Sequence, residues 1–171
     1  MSHFRAPWST SLIATSVFAS LLCIGVSYTM RVVPGKELQP FLSLMSLLPL
    51  GVIAISALFT VRGYVLTSDA LLVQRLLWTT RLSLADLESA VVDPDAMRRS
   101  IRLFGNGGFF SFTGYFRNRH LGMYRALVTN PHQTVVLRYP KKTVVVSPDR
   151  PATFVTTLQD FRHTLLARGV S

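Results

Sequence analysis

Cysteine is almost absent from this chain, since Cys23 is the only one among 171 residues. A single cysteine cannot form an internal disulfide, so a disulfide scaffold is excluded. Cysteine usage therefore does not indicate whether the protein works in an oxidising or a reducing compartment. Acidic residues are also scarce, eight against 18 Lys and Arg, and the net charge is +10. The four histidines have no partner at metal-ligand spacing and no cysteine nearby. The sequence therefore predicts no metal site.

Signatures of catalysis are missing as well. The glycine-rich run 105–108 is not a dinucleotide fingerprint, because position 110 is Phe and no helical pattern follows. No P-loop lysine and no Gly-x-Ser-x-Gly elbow is present. We expect no enzyme activity, no catalytic residue, no cofactor and no small-molecule substrate, and we interpret the run as a turn that needs positive φ. A paired acid site at Asp93 and Asp95, which flank Pro94, is the alternative.

Two long apolar stretches dominate the first third of the chain. Leu12–Met30 has 19 residues without a charge, and Phe41–Val61 has 21. At about 1.5 Å per residue, each can cross a hydrocarbon core of about 30 Å as a helix. The sequence predicts an N-terminal tail 1–11, transmembrane helices over about 12–30 and 41–61, and a short loop 31–40 between them. A cleaved signal peptide, which would leave one span, is the alternative for the first stretch.

The short loop requires the two helices to be antiparallel, so both termini lie on one side of the membrane. Pro49 is expected to kink the second helix. Because positive charge favours the cytoplasmic side, we predict a multi-pass protein of the inner or plasma membrane with both termini in the cytoplasm. The charges counted are Arg5, Arg62, Arg75 and Arg81 on the terminal side, against Arg31 and Lys36 in the loop.

The basic residues are concentrated after Val61, where 15 of the 18 Lys and Arg and seven of the eight acids lie. A tethered domain with this excess is attracted to anionic headgroups by about 1 kcal/mol for each basic residue near the surface. Nucleic acid is the other usual partner of a basic domain. No zinc spacing, helix-turn-helix pattern or basic heptad supports it, so the sequence argues against nucleic acid.

Short β-rich runs between turn signals replace the apolar pattern from Gly63 onward. Ser83–Asp86 resembles a capping box, which predicts a short helix or helical turn near 86–89. A closing helix is predicted after Asp149, with Phe154 and Leu158 on its apolar face and Gly169 as its stop. The predicted strands are 63–67, 71–76, 78–83, 123–129, 134–139 and 143–147. This order predicts a mainly β (α+β) domain, a bent antiparallel sheet or sandwich that the helix covers.

The motifs along this domain resemble those of bacterial pleckstrin-homology (PH)-like domains over about residues 62–168. They are Gly63–Thr67 with Leu71–Val73, Arg81–Leu84 with Asp86–Leu87, Arg102–Gly108 with Gly114–Phe116 and Leu121–Gly122, and Val144–Pro148 with Phe154 and Leu158. The resemblance implies a PH-like domain at 62–171, built as a seven-stranded bent antiparallel sandwich or barrel with a capping C-terminal helix. It also implies frequent fusion to membrane spans, and most members have no assigned activity.

One departure from lipid-binding PH domains limits what the resemblance implies. Eukaryotic members hold phosphates with basic residues around the first hairpin turn. That turn is Thr67–Ala70 here and has no cation, and only Arg75 follows nearby. Headgroup recognition is therefore assigned to no residue by resemblance.

Arginines and aromatic residues alternate through residues 98–125. We favour the interpretation that this segment is a long hairpin whose rings fill the sandwich core while its arginines are solvated. The alternative is an interaction surface, where rings enter an interface and arginines contact phosphates or acidic groups. The residues predicted for the surface are Arg98, Arg99, Arg102, Phe109, Phe110, Phe112, Arg117 and Arg119.

These features together predict a non-enzymatic, membrane-anchored PH-like module at the cytoplasmic face. We expect it to mediate protein or membrane-surface interactions, with the lipid bilayer and a membrane protein as partners. One alternative is a structural subunit of a membrane complex that assembles through its transmembrane helices. Another is direct binding of anionic lipid through the segment 98–125.

Overall fold

The computed structural model describes residues 1–32 and 39–168. Most of the predicted loop, including Lys36, and the predicted helix stop at Gly169 lie outside these residues. The strands are β1 Ser2–Arg5, β2 Gly63–Leu66, β3 Ala70–Gln74, β4 Thr79–Ser83, β5 Ser89–Val92, β6 Ile101–Phe109, β7 Ser111–Asn118, β8 Gly122–Val128, β9 Val135–Tyr139 and β10 Lys142–Val146. The helices are α1 Thr10–Val32, α2 Gln39–Met45, α3 Leu47–Leu58 and α4 Pro151–Arg168.

The strands form two sheets that pack face to face. The first is antiparallel in the order β1-β2-β3-β4, and the second has the order β5-β9-β10-β8-β7-β6. Helix α4 covers the open end of the sandwich, as predicted. All six predicted strands are confirmed. Among the described strands, the one departure from an antiparallel arrangement is the parallel pair β10–β8, with Val145 opposite Ala126.

The main differences from the prediction lie in the segments that lack a clean strand pattern. Residues 84–86 form a turn and β5 begins at Ser89, so no helix forms near 86–89. The glycine-rich run 105–108 lies inside β6 rather than in a turn, with irregular pairing on either side of it. The predicted long hairpin exists as β6 and β7.

The predicted N-terminal tail contains a strand of the domain, which corrects the boundary drawn from the sequence. Strand β1 pairs with β2 in antiparallel register, with Phe4 opposite Tyr64 and Arg5 opposite Gly63. The backbone of Arg5 also exchanges hydrogen bonds with Asp149 at the start of α4. A four-residue strand is too short to show a periodic signal, and its pairing partner lies almost 60 positions away. The helical hairpin is therefore an insertion between two neighbouring strands.

The principal core lies between the two sheets and α4. The ring of Phe4 packs edge-on against Phe154, with centroids 5.1 Å apart, and Tyr64 lies on the other side of Phe154 at 6.2 Å. The Tyr64 hydroxyl donates to the Leu127 carbonyl at 2.7 Å and accepts from the Ser147 N–H at 2.9 Å. Burial raises the pKa of Tyr64 to about 12, although the hydrogen bonds with Ser147 oppose the shift. The phenol therefore joins both sheets as a neutral group.

A second, smaller core lies on the other face of the β7–β8 ladder. Phe116 and Tyr124 stack there, with centroids 6.1 Å apart, and Ala96 is buried against them. Phe112 packs on the edge of the same cluster. Two of the rings in the segment 98–125 therefore fill a core, as the favoured hairpin interpretation predicts.

The apolar hairpin confirms the two predicted helices, with a break in the second. Both α1 and the combined segment Gln39–Leu58 are long and apolar enough to cross a membrane. Only 17% and 6% of their most apolar windows are buried, so neither helix serves as the core of the domain. The break falls at Ser46, three residues before Pro49. Proline removes one backbone donor and crowds the carbonyl four residues earlier, here that of Met45, which explains this position.

The membership of β1 in the domain is tested by deletion of its buried ring. Phe4→Ala is expected to lower the unfolding free energy by about 3–5 kcal/mol, because it opens a cavity against Phe154. Phe18→Ala is the control, since that ring is 68% exposed on α1. The measurement is urea unfolding of the full chain in an uncharged detergent. Equal effects of the two substitutions would contradict the assignment of β1 to the core.

Two buried tyrosines provide a matched pair for the hydrogen-bond network. Tyr64→Phe is expected to cost about 1–3 kcal/mol, because the Leu127 carbonyl and the Ser147 N–H lose their buried partner. Tyr139→Phe is expected to be neutral or stabilising, since its buried hydroxyl has no partner among the described residues. Urea unfolding measures both, and a larger loss from Tyr139→Phe would contradict the network.

Candidate functional site

The β6–β7 hairpin touches both apolar helices at its tip. The Phe110 N–H donates to the Ser16 hydroxyl of α1 at 2.9 Å. The ring of Phe110 packs edge-on against Trp8, with centroids 6.0 Å apart. On the other side, the hydroxyls of Ser111 and Thr113 each lie 3.4 Å from the Phe59 carbonyl, just after α3. The tip therefore lies between the start of one helix and the end of the other.

Two facing glycines allow the backbones of β6 and β7 to approach each other closely near the tip. Gly105 and Gly114 face each other at φ of 109° and 139°. A Cβ on Gly114 would lie 2.1 Å from the Phe104 carbonyl oxygen, so only glycine fits there. At the tip, the Asn106 side chain bonds both the N–H and the carbonyl of Phe109. These features hold the turn in place against the helices.

The structure does not bring the residues of the predicted interaction surface together. Phe109 and Phe110 lie at the hairpin tip beside the helices, whereas Phe112 belongs to the edge of the second core. At about 3.3 Å per residue, six residues of β7 place Arg117 about 20 Å from Ser111 at the tip. A broad groove at that far end is lined by Arg98, Arg99, Arg117 and Arg119, together with Asp93, Asp95 and His120.

The carboxylate of Asp93 has partners within this far groove. An Asp93 oxygen accepts the Asp95 N–H at 3.0 Å, and the His120 Nε2 lies 3.6 Å from the other oxygen. Across residues 1–32 and 39–168, no three His, Cys, Asp or Glu side chains group as a metal site. The groove is a mixed charged surface in which arginine predominates.

A second cleft lies where α3 passes the β6–β7–β8 face, and it contains a cation that the sequence reasoning missed. Arg75 follows β3 and is only 8% exposed. Its guanidinium carbon lies 5.9 Å from the centre of the Phe59 ring and 5.5 Å from that of Trp78. Its Nε and Nη2 are buried without a hydrogen-bond partner among the described residues. Burial lowers the pKa of Arg75, and the nearby positive charge of Arg125 lowers it further.

Arg102 and Arg125 line the same cleft, which has a volume of about 630 Å³. Arg125 lies on β8 opposite Tyr115, and Arg102 extends from β6 back over Gly107. None of the ion pairs found among the described residues includes Arg75, Arg102 or Arg125. The other lining residues are apolar or weakly polar and include Val52, Ile55, Ser56, Phe104 and Phe109. The cleft thus combines three arginines with the side of an apolar helix.

The exposed rings of the segment lie along this cleft. Phe104 is 78% exposed and Tyr115 is 46% exposed, in contrast to the buried Phe116 and Tyr124. Neither interpretation of the segment from the sequence describes all its rings, because alternate positions of β7 and β8 face opposite sides of the sheet. One sequence signal could have indicated the burial of Arg75: it is the only cation in the mainly apolar run from Leu71 to Trp78. A lone cation in a mainly apolar run is a candidate for a buried charge.

The first hairpin turn binds phosphates in eukaryotic lipid-binding PH domains, but here this turn, Thr67–Ala70, contains a carboxylate, Asp69, and no cation. The Thr67 hydroxyl donates to Asp69 at 2.9 Å, and Asp69 also forms an ion pair with Arg81. The cation nearest this turn is thus already matched by a carboxylate. The arrangement distinguishes this turn from the unmatched arginines of the cleft.

Comparison with family models identifies this class of fold. Residues 62–161, more than half of the chain, match the model of the bacterial PH domain. The chain therefore belongs to the bacterial PH domain family, with a helical hairpin inserted after its added strand β1. Neither the curated proteins nor the solved structures contain a match to it.

The closeness of the hairpin strands is tested by glycine substitution. Gly114→Ala is expected to destabilise the chain strongly and to displace the tip, since the new Cβ would collide with the Phe104 carbonyl. Gly122→Ala is the control, because it also has positive φ but faces open space, and it should cost only about 1–2 kcal/mol. Urea unfolding and the emission of Trp8 beside the tip measure the two effects. Equal effects would contradict the packed hairpin.

Proposed function

We propose that this chain is a membrane-anchored PH-like module that mediates protein or membrane-surface interactions at the cytoplasmic face. The observation that carries the proposal is the insertion of the apolar hairpin between the paired strands β1 and β2. Only four residues separate β1 from α1, and four separate α3 from β2. A domain joined to two spans by such short connections works directly at the bilayer surface.

The apolar surface of the hairpin supports the anchoring. The large side chains that α1 and α3 expose include Phe18, Leu21, Leu48 and Ile55. In water this surface would be costly, since burial of apolar area contributes about 25 cal/mol per Å². A cleaved leader would remove β1 together with Phe4, which is buried in the core. The core contact therefore favours a retained first span over a signal peptide.

The charge distribution supports the orientation. Arg5 and Arg62 lie at the domain end of the two helices, and Arg75 and Arg81 follow within the domain. Positive residues near span ends favour the cytoplasmic side. The β1–β2 pairing brings both ends of the hairpin to one edge of the domain, which supports a topology in which the whole domain follows the orientation of these charges.

The far groove supports a role in recognition of a partner. Its arginines lie at the end of β7 remote from the helices, where an acidic surface of a membrane protein can reach them. Nothing in the chain's motifs supplies a catalytic group, so the proposed role is non-enzymatic. The helical hairpin supports the alternative of a structural subunit. Its glycines Gly25 and Gly51 face open space, since an added Cβ at either position would have no neighbour within 4 Å. Those positions leave room for a further helix from another protein.

Membrane anchoring and orientation are tested on the full chain in native membranes. We expect the chain to stay in the pellet after alkaline carbonate extraction, because its spans are embedded in lipid. In a Cys23→Ser background, Gln159→Cys on α4 should react with an impermeant maleimide only from the cytoplasmic side. Glu37→Cys, between the helices, is the matched variant and should react only from the opposite side.

Release by carbonate would reject the anchoring, and labelling of both cysteines from the same side would reject the hairpin topology. Reversed labelling would leave the anchor in place and overturn only the cytoplasmic assignment. Copurification with a membrane protein partner separates the two proposed roles. Loss of the partner on Arg117→Glu with Arg119→Glu supports recognition by the domain, whereas its retention by residues 1–62 alone supports the structural subunit.

A further inference from the structure

Arg75 has a buried charge that the described residues leave without a partner. It is only 8% exposed, its Nε and Nη2 have no hydrogen-bond acceptor among the described residues, and its guanidinium lies within 6 Å of the centres of the Phe59 and Trp78 rings. A cation–π contact offsets part of the cost of removing a guanidinium from water, but it satisfies none of the N–H donors. An acceptor from outside the chain would complete this site.

The neighbouring charges increase the need for an anion. Burial is the main cause of the lowered pKa of Arg75, and the positive charge of Arg125 lowers it further, while Arg102 lines the same cleft. No carboxylate among the residues that line the cleft balances the three arginines. Guanidinium groups bind phosphate through paired N–H donors, which makes three of them a strong site for a phosphate diester.

The opposite wall of the cleft is the outward side of α3. Val52 and Ile55 line the cleft and are about half exposed, on the same helix that we propose to lie in lipid. The Arg75 guanidinium lies 5.9 Å from the ring of Phe59, which caps the domain end of α3. In the proposed topology this end of α3 lies at the membrane surface, so the arginines are near the lipid phosphates with an apolar path beside them.

We propose that this cleft binds one anionic phospholipid of the leaflet next to the domain. Arg75, Arg102 and Arg125 bind its phosphate, and an acyl chain follows Val52 and Ile55 along α3. The site rests on the proposed anchoring, since it needs α3 in a membrane. It is separate from the first hairpin turn, where Asp69 already neutralises Arg81, and from the far groove with Arg117 and Arg119.

The test uses the full chain, purified in an uncharged maltoside detergent, with a Trp8→Phe background that leaves Trp78 as the only tryptophan. Short-chain phosphatidylglycerol is titrated while Trp78 emission is recorded, since Trp78 contacts the Arg75 guanidinium. We expect saturable binding that weakens at least tenfold in Arg75→Gln and in Arg125→Gln. Arg138→Gln, an exposed arginine on β9, is the matched control and should change the affinity less than twofold.

Two further arms identify the source of the anion. Short-chain phosphatidylcholine and inorganic phosphate should each bind at least tenfold more weakly than phosphatidylglycerol. Equal affinity for inorganic phosphate would show a free-anion site and overturn the lipid proposal. Unchanged binding in both Arg75→Gln and Arg125→Gln would overturn the site, as would loss of binding in Arg117→Gln alone, which would place it in the far groove.

Thermal unfolding shows whether a variant that fails to bind lipid is still folded. Without lipid, Arg75→Gln should unfold at the same temperature as the parent chain or higher, because it removes an unpaired buried charge. With saturating phosphatidylglycerol, the parent should gain several degrees and the variant much less, as expected for a ligand that binds the folded state. Equal gains would overturn the proposal. Carbonate extraction and labelling report the anchoring separately, so an anchored chain that binds no lipid contradicts only this inference.

Discussion

The pairing of β1 with β2 is the constraint on which the rest of this structure depends. These strands are hydrogen-bonded neighbours, yet the whole apolar hairpin lies between them in the chain. Their register brings Arg5 next to Gly63, so the first helix leaves the domain where the last one returns. Further bonds tie the same junction to the second sheet, from the Ser9 N–H to the Thr129 carbonyl and from the Thr129 hydroxyl to Pro7. The domain and the hairpin are thus joined over a short distance at one edge.

This junction explains why charge and apolar surface meet in one cleft. Short connections bring the β6–β7–β8 face against the end of α3, and the hairpin tip closes the gap to α1. Phe59 at the end of α3 and Trp78 just before β4 then pack beside Arg75, with their own rings 5.1 Å apart. Isolation of a guanidinium from water is costly unless an anion or a set of acceptors compensates for it. In the membrane topology that we propose, lipid phosphates are the abundant anions near this cleft.

Much of the domain was predictable because its strands have local signals. Turn residues bound β8, β9 and β10, runs of valine mark β9 and β10, and the apolar face that includes Phe154 and Leu158 identifies α4. The segments that were missed or misassigned have weaker local patterns. Strand β1 has only four residues, and β6 contains three glycines and two irregularities in its pairing with β7, so neither shows clean alternation. The candidate site was harder still, because Arg75, Arg102 and Arg125 are separated by more than twenty residues at each step.

The sequence by itself determined the two apolar helices, the excess of positive charge in the domain and the class of fold, since each depends on composition or on local periodicity. The tertiary structure alone decided which arginines are solvated and which are enclosed, because that depends on the elements that pack around them. It separated Arg117 and Arg119 from the rings at the hairpin tip, although all of these lie in one stretch of chain. It also placed Phe4 in the core, since the burial of a single ring depends on Phe154 and Tyr64, which are distant in sequence and adjacent only in the fold.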